Sequence, residues 1–261
     1  MPTRERLYRT EAIVLKRSDF GEADRLLTVF TPGRGKLRLI AKGVRKPTSR
    51  KSGHVELFTQ VNLLVAVGRN LDIVTQAEAL EYYRPLREDL LRTTYAYYAA
   101  ELLDAFAAER DENPQQYILI RDALGWLCET DSLPLAARYY ELHLLSLAGY
   151  QPQLHLCVRC KQEIEPVENY FHPGLGGVLC PGCGRNQVGA HAISLNALKV
   201  LRFLQTREWA TCRALRLSPG VRREVEEHLY RYITYHLERR LKSIDFLNTL
   251  RRQMGNTMRD A

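Results

Sequence analysis

Four cysteines carry the sharpest chemistry in the chain. They stand as CVRC at 157–160 and CPGCG at 180–184, two C-x2-C pairs separated by nineteen residues. Each pair can fold into a tight knuckle that aims two thiolates at one ion, and two knuckles complete the tetrahedral shell that zinc takes. Gly182 and Gly184 would give the second knuckle its tight backbone. A shell closed by Cys157, Cys160, Cys180 and Cys183 keeps no position for water or substrate, so the spacing predicts one structural Zn2+. An iron–sulfur cluster is the alternative, at a spacing less usual for it. His155 and His172 lie near and are read as surface residues, since four thiolates fill the shell. Cys128 and Cys212 fall in helical sequence and are read as small buried hydrophobes.

No catalytic constellation accompanies the cysteines. His54-Val55-Glu56 matches the H-x-E half of a zinc deaminase signature, but the other half needs Pro before its first cysteine, and Leu179 precedes Cys180. PGRGKLR at 32–38 resembles a phosphate loop only at a glance: against G-x4-G-K-[ST], Phe30 stands at the first glycine and Leu37 at the hydroxyl. Neither G-x-G-x-x-G nor G-x-S-x-G occurs. The carboxylates at 101–112 read as the solvated side of a helix. A binding protein is expected, not an enzyme.

The second chemical feature is charge. KLRLIAKGVRKPTSRK at 36–51 holds seven cations and no acid, and the acid-free window runs from Arg25 to Val55. A solvated face normally interleaves both signs; a run without acids asks for an anionic partner. In GKLRLIAKG a period of two puts Lys36, Arg38 and Lys42 on one face with Ile40, while Leu37, Leu39 and Ala41 face a core. Arg45, Lys46, Arg50 and Lys51 follow on a Gly/Pro/Ser loop, and Arg34 precedes on a turn. Cations on a strand continued into a loop suit a groove that tracks a nucleic-acid backbone with strong salt dependence. Positive charge that merely protects an edge strand explains two or three lysines, not nine cations. Tyr8, Phe20, Phe30 and Phe58 are stacking candidates by type, but sit among apolar strand residues and are read as core.

The elements that must position these groups show in the periodicity. The first eighty residues hold five strand-like runs, TEAIVLKR, DRLLTVFT, GKLRLIAK, VELFTQVNLLVAV and LDIVTQAEAL, separated by turn signals. They predict a small barrel, an OB-fold or its SH3-like rival. From residue 81 the period becomes helical, with Asn113-Pro114 and Ser132 at helix starts and Gly149 at a helix end. Residues 155–190 lose that period and carry the cysteines. Ser194 and Ser218-Pro219 open two further helices, the second reaching about 241. The expected order is a barrel at 1–80, helices at 81–154, a four-cysteine insertion at 155–190, helices at 191–250 and a flexible tail at 251–261: an α+β multidomain chain.

Net charge follows the same divisions. The chain carries +8 in all, with +7 in residues 1–80, −6 in 81–150, zero in 151–190 and +7 in 191–261. Two basic regions flanking an acidic one fit a polyanion held at both ends. No apolar run reaches the ~18–20 residues of a membrane span, and the first residues lack a signal peptide's apolar core. An intracellular protein is expected, in which six cysteines serve metal better than disulfides.

Taken together, EAIVLKRSDFGEADRLLTVFTPGRGKLRLIAKGVRKPTSR and the CVRC…CPGCG pair resemble the RecO family of bacterial recombination mediators, and the resemblance covers essentially the whole length. The most specific part is G-E-x-D-R-L followed by G-x-x-x-x-x-A-K-G-x-R-K. The resemblance implies an N-terminal five-stranded OB-fold, a helical domain and a zinc-binding insertion. It implies binding of single- and double-stranded DNA, ATP-independent strand annealing, action with RecR, contact with the single-stranded DNA-binding protein SSB, and help in loading RecA, all in the cytoplasm at the nucleoid. It maps the basic residues onto Arg34, Lys36, Arg38, Lys42, Arg45 and Lys46, and the zinc ligands onto the four cysteines. Two rivals stay open: an adaptor whose zinc and helical parts bind proteins, and an RNA-binding OB protein.

Overall fold

The computed structural model of the chain describes residues 6–239 and 241–257. It divides into two compact units, Met1–Glu129 with Lys242–Ala261, and Thr130–Leu241.

In the first unit five strands, β1 (Leu7–Phe20), β2 (Asp24–Thr31), β3 (Gly35–Ala41), β4 (Gln60–Ala66) and β5 (Asp72–Glu81), close into a barrel in the order β1-β2-β3-β5-β4. All pairings are antiparallel except β3 with β5, which meet in parallel at Leu39↔Asp72 and Ile40↔Ile73. That Greek-key closure of five strands is the OB-fold. Strand β1 can pair with both β2 and β4 because it bends, with a register shift between Val14 and Lys16. Alternate residues such as Val14, Leu27, Val29, Leu37, Leu39, Val61 and Val74 fill the interior. The strand expected from 55 begins only at Gln60. Phe58 takes a left-handed φ of 61°, its N–H donates to the Val14 carbonyl at 2.8 Å, and Val55 turns in to join the barrel core.

The barrel is apolar outside as well as inside. Ile13, Leu15 and Phe30 are buried at positions that do not face the interior, so they need a cover. After α1 (Pro85–Glu88), helix α2 (Leu90–Phe106) lies against β1, and α3 (Pro114–Glu129) against β2. The Asp89 carboxylate accepts from Arg92 N at 2.8 Å to open α2, and Asn113 Oδ1 from Gln116 N at 3.0 Å to open α3. Between them the chain runs beside β3, where Arg110 N donates to Lys36 O at 2.9 Å. Gly35 permits that approach: its φ is +59°, and a Cβ would stand 1.8 Å from Asp111 O.

The second unit holds α4 (Leu133–Leu147), strands β6 (Asn169–His172) and β7 (Gly177–Leu179), α5 (Pro181–Gly184), β8 (His191–Ile193), α6 (Leu195–Thr206), α7 (Trp209–Cys212) and α8 (Pro219–Leu237). Its strands form a sheet in the order β7-β6-β8, and α4, α6 and α8 pack on one another. Ser194 and Ser218 cap α6 and α8, accepting from Ala197 N at 3.1 Å and Val221 N at 3.4 Å. Helix α8 stops short of 241, at Glu238 with φ 51°. The chain then returns to the first unit as α9 (Lys242–Thr257), packed on α2, where the Glu101 carboxylate accepts from Lys242 N, Ser243 N and Ser243 Oγ at 3.0, 2.9 and 2.5 Å.

The helices expected at 81–154 and 191–250, as the first and second parts of one helical domain, fall into different compact units. Helices α1–α3 and α9 belong with the barrel, and α4, α6 and α8 with the cysteine segment. The physical reason is the barrel's apolar outer face. Of the tail expected at 251–261, residues 251–257 continue α9, and 258–261 lie outside the described residues. No helix among the described residues is long and apolar enough to cross a membrane.

Candidate nucleic-acid interface and metal centre

Strand pairing builds one outer face from β1, β2 and β3. On β3, Leu37, Leu39 and Ala41 point into the barrel, which turns Lys36, Arg38 and Ile40 outward. Arg38 lies opposite Thr28, which lies opposite Lys16. Ile40 lies opposite Leu26, which lies opposite Ser18, while Ile73 meets Ile40 from β5. Asp24 lies opposite Phe20, and its carboxylate accepts from Gly43 N at 2.7 Å. Paired residues share a face, so Phe20, Leu26, Thr28 and Arg38 lie on one outer face with the buried Ile40 among them and Lys42 just beyond.

Helix α2 closes over the far end of this face. Lys36 Nζ donates to Asp104 O at 2.7 Å and stands 3.3 Å from Asp104 Oδ1; Lys16 Nζ is 2.5 Å from Oδ2. Burial alone would raise the Asp104 carboxyl. The Lys16 hydrogen bond and the Lys36 charge outweigh it and hold that carboxyl below its ordinary value. Lys36, expected at the interface, is instead half-buried and ion-paired. Lys51 is likewise turned inward: its Nζ donates to Val74 O at 2.9 Å, and burial lowers its pKa.

Other cations expected at the interface stay outside. Arg38, Lys42, Lys46 and Arg50 are exposed, and none has a side-chain hydrogen bond or ion pair with a described residue. Arg34 is exposed too, its guanidinium 4.2 Å over the Tyr8 ring. That ring is fixed by donating from its hydroxyl to Asp72 Oδ2 at 3.0 Å; burial and this bond push the phenol up to about 12. Arg45 is anchored, with Nε 3.4 Å from Asp19 Oδ2 and Nη1 donating to Gly21 O at 3.4 Å. Arg25 pairs with Glu56 at 3.0 Å and Asp19 at 3.3 Å, and Arg17 also meets Glu56. The window without acids in sequence therefore has acids in space.

Two readings from sequence change here. Tyr8, Phe30 and Phe58 are buried, but Phe20 is 49% exposed at the end of β1. Its place beside a Gly-containing turn was the available signal. The carboxylates at 101–112 are not simply solvated, since Glu101 caps α9 and Asp104 holds two lysines.

The second site lies wholly within the other unit. The four Sγ atoms of Cys157, Cys160, Cys180 and Cys183 lie within 4.8 Å of one another, and Cys160 Sγ is 3.9 Å from Cys180 Sγ. Four sulfurs about 2.3 Å from one central ion would stand about 3.8 Å apart, so the set fits a tetrahedral metal. One knuckle turns at Lys161, φ 63°, closed by Lys161 N to Cys157 O at 2.9 Å and Cys157 N to Gln162 O at 2.8 Å. The other is the start of α5, with Cys183 N and Gly184 N donating to Cys180 O at 3.0 and 2.8 Å. Cys180 N donates to Cys157 Sγ at 3.4 Å and ties the two together.

The thiols also act on one another through shared hydrogen bonds. Burial would raise Cys157, but backbone N–H groups of Cys160, Cys180 and Arg159 bring it down to about 6. Cys183 is pushed up to about 12, first by its hydrogen bond with Cys180. A dication bound by the four sulfurs would favour the thiolate form of each. Gly184 is required by packing, since a Cβ would lie 2.5 Å from Tyr170 Cβ; Gly182, expected to ease the knuckle, faces open space. His172 is no ligand: its Nε2 contacts Val188 O at 2.9 Å and its Nδ1 accepts from Leu175 N at 3.0 Å. Cys212 is buried and Cys128 half-buried, and burial raises both thiols, Cys128 to about 11. His54 Nδ1 accepts from Ala79 N at 3.1 Å, and Glu56 holds two arginines, so the deaminase-like triplet is part of the barrel wall.

Comparison with known proteins gives two matches along the chain. Residues 5–83 match the family described as Recombination protein O N terminal, and residues 87–245 match Recombination protein O C terminal. The chain is 45% identical over 251 residues to DNA repair protein RecO of Roseiflexus sp. (strain RS-1), spanning 96% of this chain and 88% of that protein. It is 41% identical over 251 residues to DNA repair protein RecO of Desulforudis audaxviator, covering 95% and 97%. With DNA repair protein RecO of Symbiobacterium thermophilum it shares 39% over 248 residues, 94% and 98%.

Proposed function

The chain belongs to the RecO family, and on that premise we propose that it is a non-enzymatic DNA repair and recombination mediator. It binds single- and double-stranded DNA and anneals complementary strands without ATP. With RecR it helps RecA load onto single strands coated by SSB, in the cytoplasm at the nucleoid. The observation that carries the DNA-binding part is the set of cations on and beside the β1–β2–β3 face that no acid neutralises: Arg34, Arg38, Lys42, Lys46 and Arg50.

Annealing requires two polyanions to approach. Phosphates held on this face release counterions, and the basic 191–261 segment supplies a further positive region. Pairing is then downhill, so hydrolysis adds nothing. Cys157, Cys160, Cys180 and Cys183 would hold one structural Zn2+, which would cross-link the two knuckles and leave no open position for chemistry at substrate.

Strand annealing tests the reading. Two complementary oligonucleotides, purified protein and no nucleotide are mixed at two salt concentrations, and duplex formation is followed by fluorescence. Acceleration that fades with salt is expected. Tight DNA binding without acceleration would replace annealing by an adaptor role, and stronger competition by tRNA than by DNA of equal length would point to RNA. Pull-down of RecR and RecA loading on SSB-coated strands test the partners separately.

A further inference from the structure

Phe20 on β1 and Phe246 on α9 are the exposed phenylalanines among the described residues, and the exposed tyrosines are engaged by other side chains. Tyr97 packs edge-on against Phe58 at 5.0 Å, the Tyr82 hydroxyl lies 3.3 Å from His54, and Tyr150 and Tyr235 lie against His236 at 4.8 and 5.4 Å. Among the described residues Phe20 is the one exposed aromatic side chain on a strand, and it has no ring partner among them.

Its position is held firmly. The turn after it begins at Gly21 with φ 57°, and the start of the basic loop buttresses that turn. Arg45 N donates to Ala23 O at 2.9 Å, Arg45 Nη1 to Gly21 O at 3.4 Å, and Gly43 N to the Asp24 carboxylate at 2.7 Å. Pairing puts the ring on the same face as Leu26, Ile40 and Arg38. Two strand spacings, about 10 Å, separate it from the β3 side of that face. An apolar ring at one edge and free cations at the other make a surface with two different affinities: phosphate for Arg38 and Lys42, and a flat π-system for Phe20.

We propose that Phe20 is a stacking platform for an unpaired base, so that this face prefers single-stranded DNA to duplex. The proposal rests on the nucleic-acid reading above and deepens it. Bases in a duplex are closed by their own neighbours and cannot cover the ring. A single strand presents base faces beside a backbone that the cations hold, and stacking of that kind is tolerant of sequence. In annealing, the ring would hold an unpaired strand open and release it once pairing buries its bases.

The test measures affinity by fluorescence anisotropy for a labelled oligo-dT and for a duplex of equal length, with wild type, F20A, F20W and R38E/K42E. F20A is expected to weaken single-strand binding roughly tenfold with the loss confined to the single strand. F20W keeps the affinity, and its added indole emission is quenched on oligo-dT binding. Because the side chain is half exposed, F20A leaves the barrel intact, which far-UV circular dichroism checks. Single-strand affinity unchanged in F20A, or equal losses on both forms, overturns the stacking role. If R38E/K42E abolishes binding while F20A is silent, the cationic face stands and stacking falls. Unchanged binding in R38E/K42E overturns the underlying nucleic-acid reading.

Discussion

The cysteine centre and the basic face are both built from repeated residues of one type, yet they are specified in opposite ways. The centre is local. Its four ligands lie within residues 157–183, and their backbone bonds close on one another. The face is assembled from three strands, and its chemistry depends on residues far away in sequence: Lys36 is taken by Asp104, 68 positions on, while Glu56, 31 positions on, takes Arg25. A metal needs donors at set spacing, so spacing reveals it. A cation is available to a partner only if the fold brings no acid to it, and no local pattern reports that.

The largest expected effect is at the cysteines. Cys180→Ser removes one ligand of a site whose metal supplies on the order of 10 kcal/mol in small zinc domains. The expected outcome is loss of bound zinc, from about one ion per chain to none, with amide exchange in β6–β8 rising towards that of unprotected chain. Amides of the β1–β5 barrel keep their protection. Elemental analysis and hydrogen exchange with mass spectrometry read both. Full protection of β6–β8 without metal would show that packing alone holds the module.

On the face, the next largest effect follows the division between free and engaged cations. R38E/K42E should weaken DNA binding about a hundredfold at moderate salt and flatten the slope of log affinity against log salt by about 2. Lys36→Gln should leave affinity within about twofold, because its charge already faces Asp104, and should lower thermal stability instead. Salt titrations of DNA binding and melting curves measured side by side separate the two classes. If Lys36→Gln cost as much affinity as Arg38→Gln, the ion pair with Asp104 would have to open on binding.

The same division explains how much was legible in the sequence. Alternation in GKLRLIAK marks Leu37, Leu39 and Ala41 as inward, because a one-residue slip would expose all three. Turn residues mark the hairpins, and Ser194 and Ser218 mark helix starts through their hydroxyl oxygens. The C-x2-C pairs mark the four cysteines whose sulfurs the fold brings within 4.8 Å of one another, a set that could hold a metal ion. What could not be read are facts about cover and return. Nothing local in α9 says that it comes back to Glu101 on α2, or that Ile13 and Phe30 are roofed by helices rather than lining the barrel. VELFT has strand composition, yet a left-handed Phe58 ends that register, a tertiary contact overriding propensity. Phe20 reads as core in sequence because apolar rings usually are; its exposure follows from standing at a hairpin end, where no second layer reaches.

The smallest expected effect is at Asp104 and depends on pH. Asp104 is held below its ordinary carboxyl pKa by Lys16 and Lys36 despite its burial. A folded-state pKa lower than the unfolded one means that the unfolded chain binds the proton first as pH falls. The stabilisation is therefore complete above about pH 4, the range of an unfolded aspartate, and is lost below it as pH descends through the folded value. Asp104→Asn removes the charge and keeps the shape. It should cost about 1 kcal/mol near neutral pH, as expected for a partly screened pair, and the wild-type advantage should fade below about pH 4. Denaturant titrations of both proteins at neutral and acid pH measure it. A gap that stayed constant into acid would mean that the D104N variant fails through packing rather than charge, and that Lys36 is held mainly by the Asp104 carbonyl, 2.7 Å from its Nζ. In that case Lys36 would count as a buried structural donor, and the cationic face would begin at Arg38.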